Sequence, residues 1–441
     1  MADIKSEYAA LKQVILSQFS KFESALDGMG MPEVTSSDLH PLDDPSLLVS
    51  KDLFDARSQL VAALGQMSSL VQNPAEHLLS ESLAHHTSAA LSFIAETGIA
   101  DVIESSPERQ LHVDEIAKSI DSHPARVSHA LRLLAHDGIF AEVREGTFAN
   151  NRSSKLILGA SPIKQWIRFQ TWYSLGYSSK VAETWKDPAK SKSFEQIDSA
   201  ANAAWRYSDK GYGDFWDWVG HEHLPYANAF ADALKGIGSI GVLGILADYP
   251  WESIRPGGVV VDVGGGPGHM LLPIIKNNPT LKGVLQDREE IVPAAKENFD
   301  KNLPGADVEF DAVDFFEVQP RKQADIYMLR WILHDWSDER AVALLKQQAA
   351  VMGPNSKIII IDALIPPATR AAAQDPSYPL LQSRSQASNL VLRLDFEMSA
   401  SLQATERTLT EFDTLFTKAG LKITNVYRPR SPQALLEVML A

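Results

Sequence analysis

Val259-Val260-Val261-Asp262-Val263-Gly264-Gly265-Gly266-Pro267-Gly268-His269-Met270 decides how the second half of this chain is read. Four valines around one aspartate suit a strand buried on both faces, as in a parallel sheet. The glycines that follow permit a tight turn and let the backbone approach a ligand that any Cβ would block. Pro267 and the apolar run from Leu271 to Ile275 predict a helix directly after the turn. No Gly-Lys-Ser/Thr follows, so this is not a phosphate-cradling loop. Asp262, at the strand end, is placed to order the glycines. Asp287 closes the next apolar segment, Val284-Leu285-Gln286-Asp287. An acid at that spacing suits a ribose diol, a role shared by NAD and S-adenosylmethionine sites. An ordinary turn with a buried or capping Asp287 is the plain structural alternative.

Outward from this turn, residues 256–441 alternate strand and helix patterns, which predicts a doubly wound parallel sheet. The strands are expected at 258–263, 282–286, 307–311, 325–329, 357–362, 422–427 and 434–440. Residues 366–390 read as an irregular insertion, mobile or a lid. Ligands of such sheets bind outside the carboxyl ends of the strands. His334 follows the fourth strand there, in Arg330-Trp331-Ile332-Leu333-His334-Asp335-Trp336. Asp362 closes the run Ile358-Ile359-Ile360-Ile361, a costly place for a carboxylate without a partner. Glu406 precedes a helix in Thr405-Glu406-Arg407-Thr408. A histidine base oriented by one or two carboxylates is a recurring device for removing a proton from a hydroxyl. As plain structure, His334 is a capped loop histidine and Glu406 a favourable charge at a helix N-terminus.

Residues 1–75 read as a helical extension. Leu11, Val14, Ile15, Phe19, Phe22 and Leu26 recur at helical spacing, as do Leu53, Leu60, Leu64 and Val71, with a linker from Gly28 to Leu47. The faces lack the Lys/Arg excess of a membrane-surface helix, so packing on this chain or on a second subunit accounts for them. Residues 76–160 read as one module. Helices are expected at 88–97, after an Asp114 cap, and at 124–136; a hairpin turning at Glu145-Gly146 follows. This is winged-helix order, which on its own suggests DNA binding. The net charge of −15 offers no basic face for it, and a structural module is the better reading. Residues 161–250 are helical and hold six of the nine tryptophans. Phe215, Trp218 and Phe230, with Trp331 further on, are candidates to line a pocket for a flat organic ligand; ordinary core is the alternative. Four glycines between Gly236 and Gly244 suit close helix packing.

A length of 441 residues with 45% hydrophobic content predicts two or three globular domains. With no cysteine, disulfides, thiolate metal sites and a cysteine nucleophile are excluded. The first residues lack a signal-peptide core, and no apolar run reaches membrane-spanning length. A cytoplasmic protein with a small-molecule ligand, and neither nucleic acid nor membrane as partner, is expected.

Taken together, these motifs resemble those of the plant and fungal small-molecule O-methyltransferases of the caffeate and sterigmatocystin type. The segments from Val261 to His269, Leu285-Gln286-Asp287, Asp314-Phe315-Phe316, Leu329 to Glu339, and Glu406-Arg407-Thr408 match the family in order and spacing. The resemblance covers about residues 80–441 and is far more specific than any one motif. It implies a class I, Rossmann-like S-adenosylmethionine domain over 251–441, interrupted at 366–390, and a winged-helix dimerisation domain, hence a homodimer. It implies S-adenosylmethionine held by Gly264, Gly265, Asp287, Asp314, Phe315 and Arg330, with S-adenosylhomocysteine as product and no metal. It implies His334 as general base, flanked by Asp362 and Glu406. The first flanking acid is commonly Glu in the family, so Asp362 is a shorter variant. The N-terminal extension and the insertion resemble fungal members more than plant ones. The implied activity is methyl transfer to a hydroxyl, phenolic first of all, of a small aromatic or polyketide-like secondary metabolite; a nitrogen acceptor stays open. Two rival classes are a relative that binds S-adenosylmethionine for pericyclic or dehydration chemistry and a non-catalytic dimeric regulator. The first would be expected to alter the His-Asp-Trp segment, and the second has no use for His334 and Glu406.

Overall fold

The computed structural model describes residues 4–221, 226–369, 379–383 and 385–441. The chain divides into two compact units, Met1–Ser191 with Gln196–Ile237, and Lys192–Glu195 with Gly238–Ala441.

In the first unit, helices Ile4–Gly28 and Lys51–Val71 pair. Leu26, Val49 and Leu53 are buried with Phe22 and Phe54 against them. The Ser50 side chain caps the second helix by accepting the Leu53 N–H. The segment read as a linker is strapped down instead. Arg152 donates through Nε and Nη2 to Asp43 at 2.7 and 2.5 Å, its backbone N–H donates to Ser36, and Lys155 pairs with Asp38. Several large apolar side chains of the first helices stay about half exposed or more: Leu16, Phe19, Leu64, Val71, Leu78 and Leu79.

Helices His85–Thr97, Ile99–Glu104, Val113–Ser119 and Pro124–His136 close around Ile94, Ile99, Ile116, Leu131 and Phe148. Strands β1 (Gln110–His112), β2 (Phe140–Arg144) and β3 (Thr147–Asn150) form an antiparallel sheet in the order β1-β3-β2. The third helix begins at His112, whose Nδ1 accepts the Asp114 N–H at 3.3 Å. The cap is therefore His112, not Asp114. Beyond this module the aromatic residues pack ring on ring. Phe169 and Phe230 lie 4.3 Å apart between centroids, and Trp172 and Trp205 lie 4.5 Å apart.

The second unit is built on seven strands: β4 (Val259–Val263), β5 (Lys282–Asp287), β6 (Val308–Ala312), β7 (Ile326–Arg330), β8 (Lys357–Ala363), β9 (Leu421–Tyr427) and β10 (Gln433–Leu440). Their order is β6-β5-β4-β7-β8-β10-β9. The sheet is mixed rather than wholly parallel, because β10 runs antiparallel to both β8 and β9. Residues 428–432 are too few for the crossover that parallel neighbours need, so β9 and β10 form a hairpin. Side chains alternate between two cores. Val261, Tyr327, Leu329, Ile358 and Ile360 enter one; Val260, Ile326, Met328, Ile359 and Ile361 enter the other. Each such side chain stabilises the sheet by roughly 1.5–3 kcal/mol on burial, which is why these runs are continuously apolar. The strand order reverses between β4 and β7, and ligands of such sheets bind at the carboxyl ends beside that reversal.

Helix Val242–Asp248 lies tight against the β9–β10 connection. A Cβ at Gly244 would stand 2.1 Å from the Arg430 carbonyl oxygen, and Asp248 accepts from the Arg430 backbone at 2.8 Å. Gly244→Ala should therefore destabilise the protein by about 2 kcal/mol in urea unfolding. Gly213→Ala, where an added Cβ meets nothing within 4 Å, is expected to stay within about 0.5 kcal/mol of the parent. Equal losses at both positions would refute the contact as the cause.

Candidate active site

The glycine turn after β4 is laced to the end of β5. Gly264 and Gly265 donate their N–H groups to the Gln286 carbonyl at 2.8 and 3.2 Å. Gly266 donates to Asp287 Oδ2 at 2.7 Å, and Arg288 N–H reaches Asp287 Oδ1 at 2.8 Å. Asp287 thus holds the turn in shape, and burial raises its carboxyl above the usual range. Gly266 has φ +55°, and a Cβ there would meet nothing within 4 Å, so the turn is open on that side. Asp262 is buried, and its Oδ2 has no hydrogen-bond partner among the described residues. Burial pushes that carboxyl up to about 7, against the pull of Arg330. Asp314 Oδ1 accepts the Phe316 N–H at 2.8 Å, forming a small turn that carries Phe315. The Phe315 ring edge would lie 3.5 Å from a Cβ on Gly264, so ring and turn are neighbours.

Arg330 is committed to the backbone. Its Nη1 and Nη2 donate to the carbonyls of Gly238 and Ile240 at 2.6 and 3.0 Å, and Nη2 also donates to Gln433 Oε1 at 3.2 Å. Its Nε is buried without a hydrogen-bond partner among the described residues. Arg330 therefore pins residues 238–240 to the sheet, and its Nε–H and one Nη1–H lie outside these bonds.

His334 stands on the single turn Leu333–Asp335 that follows β7. Its Nδ1 lies 2.7 Å from Glu406 Oε1, across 72 residues of chain. The imidazole is 12% exposed and the Glu406 side chain is fully buried. Nε2 lies 3.4 Å from Asp335 Oδ1. The Trp331 ring covers the imidazole at 4.9 Å between centroids. Trp331 has φ +56°, a left-handed backbone that costs a non-glycine residue roughly 1–2 kcal/mol. Its N–H donates to Asp362 Oδ1 at 2.9 Å and to the Ile361 carbonyl at 3.2 Å, which holds it there. The short Asp362 side chain thus fastens the Trp331 backbone, and it acts on the imidazole through its charge.

Burial alone would depress the His334 imidazole. The carboxylates of Asp335, Glu406 and Asp362 outweigh it and hold the ring up at about 10. Burial likewise pushes Asp335 to about 7 and Asp362 to about 6, while the His334 cation draws both back. Trp331 Nε1, Asp362 Oδ2 and Glu406 Oε2 are buried without hydrogen-bond partners among the described residues. Such groups cost roughly 1–3 kcal/mol each unless a ligand or water satisfies them.

Residues from three separate segments thus meet around His334. Asp335 and Asp395 also belong to this environment, although no spacing signal singled them out. Asp395 Oδ1 accepts the Glu406 N–H at 3.0 Å and the Thr405 hydroxyl at 3.1 Å. Asp335 is legible only as the neighbour of His334. Each of the four proposed pocket residues packs on rings of its own unit. Trp331 lies on the imidazole, whereas Phe215 and Trp218 are buried in the aromatic cluster of the first unit, with Phe230 half-buried beside them. Among the described residues no group of three His, Asp or Glu side chains is arranged to hold a metal ion.

Residues 207–422 match the O-methyltransferase domain family, and residues 80–160 match the O-methyltransferase dimerisation domain. The chain is 27% identical to the O-methyltransferase tpcA of Aspergillus fumigatus, covering 97% of this chain and 93% of the relative. It is also 27% identical to 3-O-methyltransferase 2 of Phanerochaete chrysosporium, covering 95% and 94%. In fold it is similar to the mitomycin 7-O-methyltransferase MmcR, with 24% identity and a TM-score of 0.66 over 83% of this chain and 98% of that one. It is likewise similar to human N-acetylserotonin methyltransferase, solved in complex with S-adenosylmethionine, at 20% identity and a TM-score of 0.65 over 84% and 99%. With both of its domains matched in chain order, and with these relatives aligned nearly end to end, the chain belongs to the S-adenosylmethionine-dependent O-methyltransferase family.

Proposed function

We propose that this enzyme moves a methyl group from S-adenosylmethionine to a hydroxyl of a small aromatic or polyketide-like secondary metabolite, with His334 as general base. The observation that carries the proposal is the 2.7 Å contact of His334 Nδ1 with buried Glu406, at the carboxyl end of β7 and beside the strand that bears the glycine turn.

The residues around the turn fit the donor. Asp287 offers an acid for a ribose diol, Gly266 leaves the backbone open, and Phe315 offers a flat ring. The orphaned Asp262 Oδ2 offers a buried acceptor beside the glycine turn. Gly264, Gly265, Asp287, Asp314 and Phe315 would hold the donor directly, and Arg330 would act through Nε or by fixing residues 238–240. When bound, S-adenosylmethionine supplies a methyl group on a positively charged sulfur, a leaving group that needs no acid.

The protein's remaining task is to position the acceptor and take its proton. Glu406 accepts from Nδ1–H, which fixes the tautomer and leaves Nε2 to receive the hydroxyl proton. Asp335 lies at Nε2 in this structure, so the acceptor hydroxyl would share that nitrogen with it or replace it. A ring held near 10 matches a phenol of pKa about 10, so the proton passes between them at little cost. The match favours phenols over aliphatic alcohols. The dimerisation domain supports a homodimer, and the exposed apolar side chains of the first helices are surface that a second copy would cover.

His334→Ala should lower kcat by about 10²–10⁴-fold while calorimetric binding of S-adenosylmethionine persists. Unchanged turnover with a panel of phenols, read as S-adenosylhomocysteine release, would remove the assignment. The pH profile follows from the direction of the shift. The imidazole is held above its ordinary value, so it carries a proton near neutrality, and the base form appears as pH rises. With an acceptor whose hydroxyl pKa lies above about 11, kcat/KM of the parent should climb from about pH 7 and level off near pH 10, whereas that of His334→Ala should go on rising toward the acceptor's own pKa.

A further inference from the structure

Arg407 is among the largest fully buried side chains, at 1% exposure, and it is the next residue after Glu406. Its guanidinium does not approach the imidazole through any hydrogen bond. It brackets the turn that carries it. Nη1 donates to the Leu333 carbonyl at 2.7 Å and Nη2 donates to the Trp336 carbonyl at 2.7 Å, one on each side of His334. Nε donates to Asp338 Oδ1 at 3.0 Å, at the start of the next helix.

The backbone of Arg407 is itself held. Its carbonyl accepts the Ile365 N–H at 3.0 Å, just past the end of β8, and Thr408 caps the following helix with a reciprocal bond to Glu411. One dipeptide therefore supplies both the carboxylate that grips the ring and the cation that grips the main chain beneath it. A short turn with a half-buried imidazole has few other means of fixing its register, and Trp331 at its entrance already sits in a strained backbone.

We propose that Arg407 is a positioning residue for methyl transfer: by bridging the Leu333 and Trp336 carbonyls it sets the distance and angle of His334 to Glu406. The planar fork is what the two carbonyls require, since they lie three residues apart and both face one side chain. An ammonium is a point charge without the two parallel donors of the fork. The inference rests on His334 as the base, since Arg407 has no contact of its own with a reacting group.

The test is a double-mutant cycle on the full-length enzyme with S-adenosylmethionine and the best phenol of the panel. Arg407→Lys should lower kcat by about 30-fold, because misplacement on the order of 1 Å has losses of that scale. The KM for S-adenosylmethionine should stay within about twofold, as uniform binding is untouched. The alkaline rise in kcat/KM should move to lower pH, because a looser Glu406 contact no longer holds the imidazolium. In the His334→Ala background, Arg407→Lys should cost nothing further, since both changes disable the same group. A loss of equal size in both backgrounds, or none in either, would overturn the proposal. Should Arg407→Lys fail to fold, Asp338→Ala decides. Asp338 is 54% exposed and its removal frees only Nε, so Asp338→Ala should lower kcat by about threefold with His334 present and not at all without it. Parent-like turnover of His334→Ala alone would sink the base assignment itself. A large loss in His334→Ala beside an additive Arg407→Lys sinks only the positioning role.

Discussion

A hydrogen bond between a histidine and a buried glutamate is the constraint around which the second unit is arranged. The two groups lie far apart in the chain and approach to 2.7 Å, with the carboxylate wholly out of water. Removing one partner of such a pair typically leaves an uncompensated charge that costs several kcal/mol, so everything that holds the two together is under the same constraint. The glutamate is fixed from behind by Asp395, which takes its N–H. The histidine is fixed from below by Arg407, and the turn before it is fixed by Asp362 through the Trp331 N–H. Three charged side chains thus act chiefly on main-chain atoms, and among the described residues only Glu406 makes a hydrogen bond to the ring.

The sheet explains why these segments can meet. β7 and β8 are parallel neighbours, so the residues leaving their carboxyl ends emerge side by side. Segment 405–407 joins them through the bridge between Leu364 and Arg407, one step beyond β8. On the other side of the switch between β4 and β7, the glycine turn and Asp287 emerge from β4 and β5. The glycine turn and His334 thus share one end of the sheet because four parallel strands finish there. The same strands, buried on both faces by alternating apolar side chains, give that end the rigidity that positional chemistry needs.

Several polar residues expected at the donor site also carry structural bonds. Arg330 gives its guanidinium to two backbone carbonyls, and Asp287 gives one oxygen to the glycine turn. Buried ions are stable only when their hydrogen-bonding capacity is met, and backbone carbonyls and N–H groups were the nearest partners. The aromatic residues of the first unit behave likewise. Trp218 packs within 6.3 Å of Trp172 and Tyr173 and within 5.5 Å of Tyr207, a cluster whose rings satisfy one another's packing.

Composition, periodicity and motif order already determined the architecture of the second unit. All seven strands lie within a residue of their expected positions, and the valine run of β4 and the isoleucine run of β8 mark strands that are continuously apolar because both faces are buried. The glycine turn, His334 and Glu406 were legible for a similar reason: each sits at the end of an element, where a local pattern stops. The direction of β10 was not legible from alternation alone, since a strand's pattern is the same read in either sense. Nor was the ordering of the segment before Ser50, whose partners Arg152 and Lys155 are distant in the chain. Which carboxylate would reach the imidazole, and that Arg407 would bridge the turn, were decided by tertiary structure alone. Those outcomes depend on distances of a fraction of an ångström between segments that carry no record of one another in their spacing.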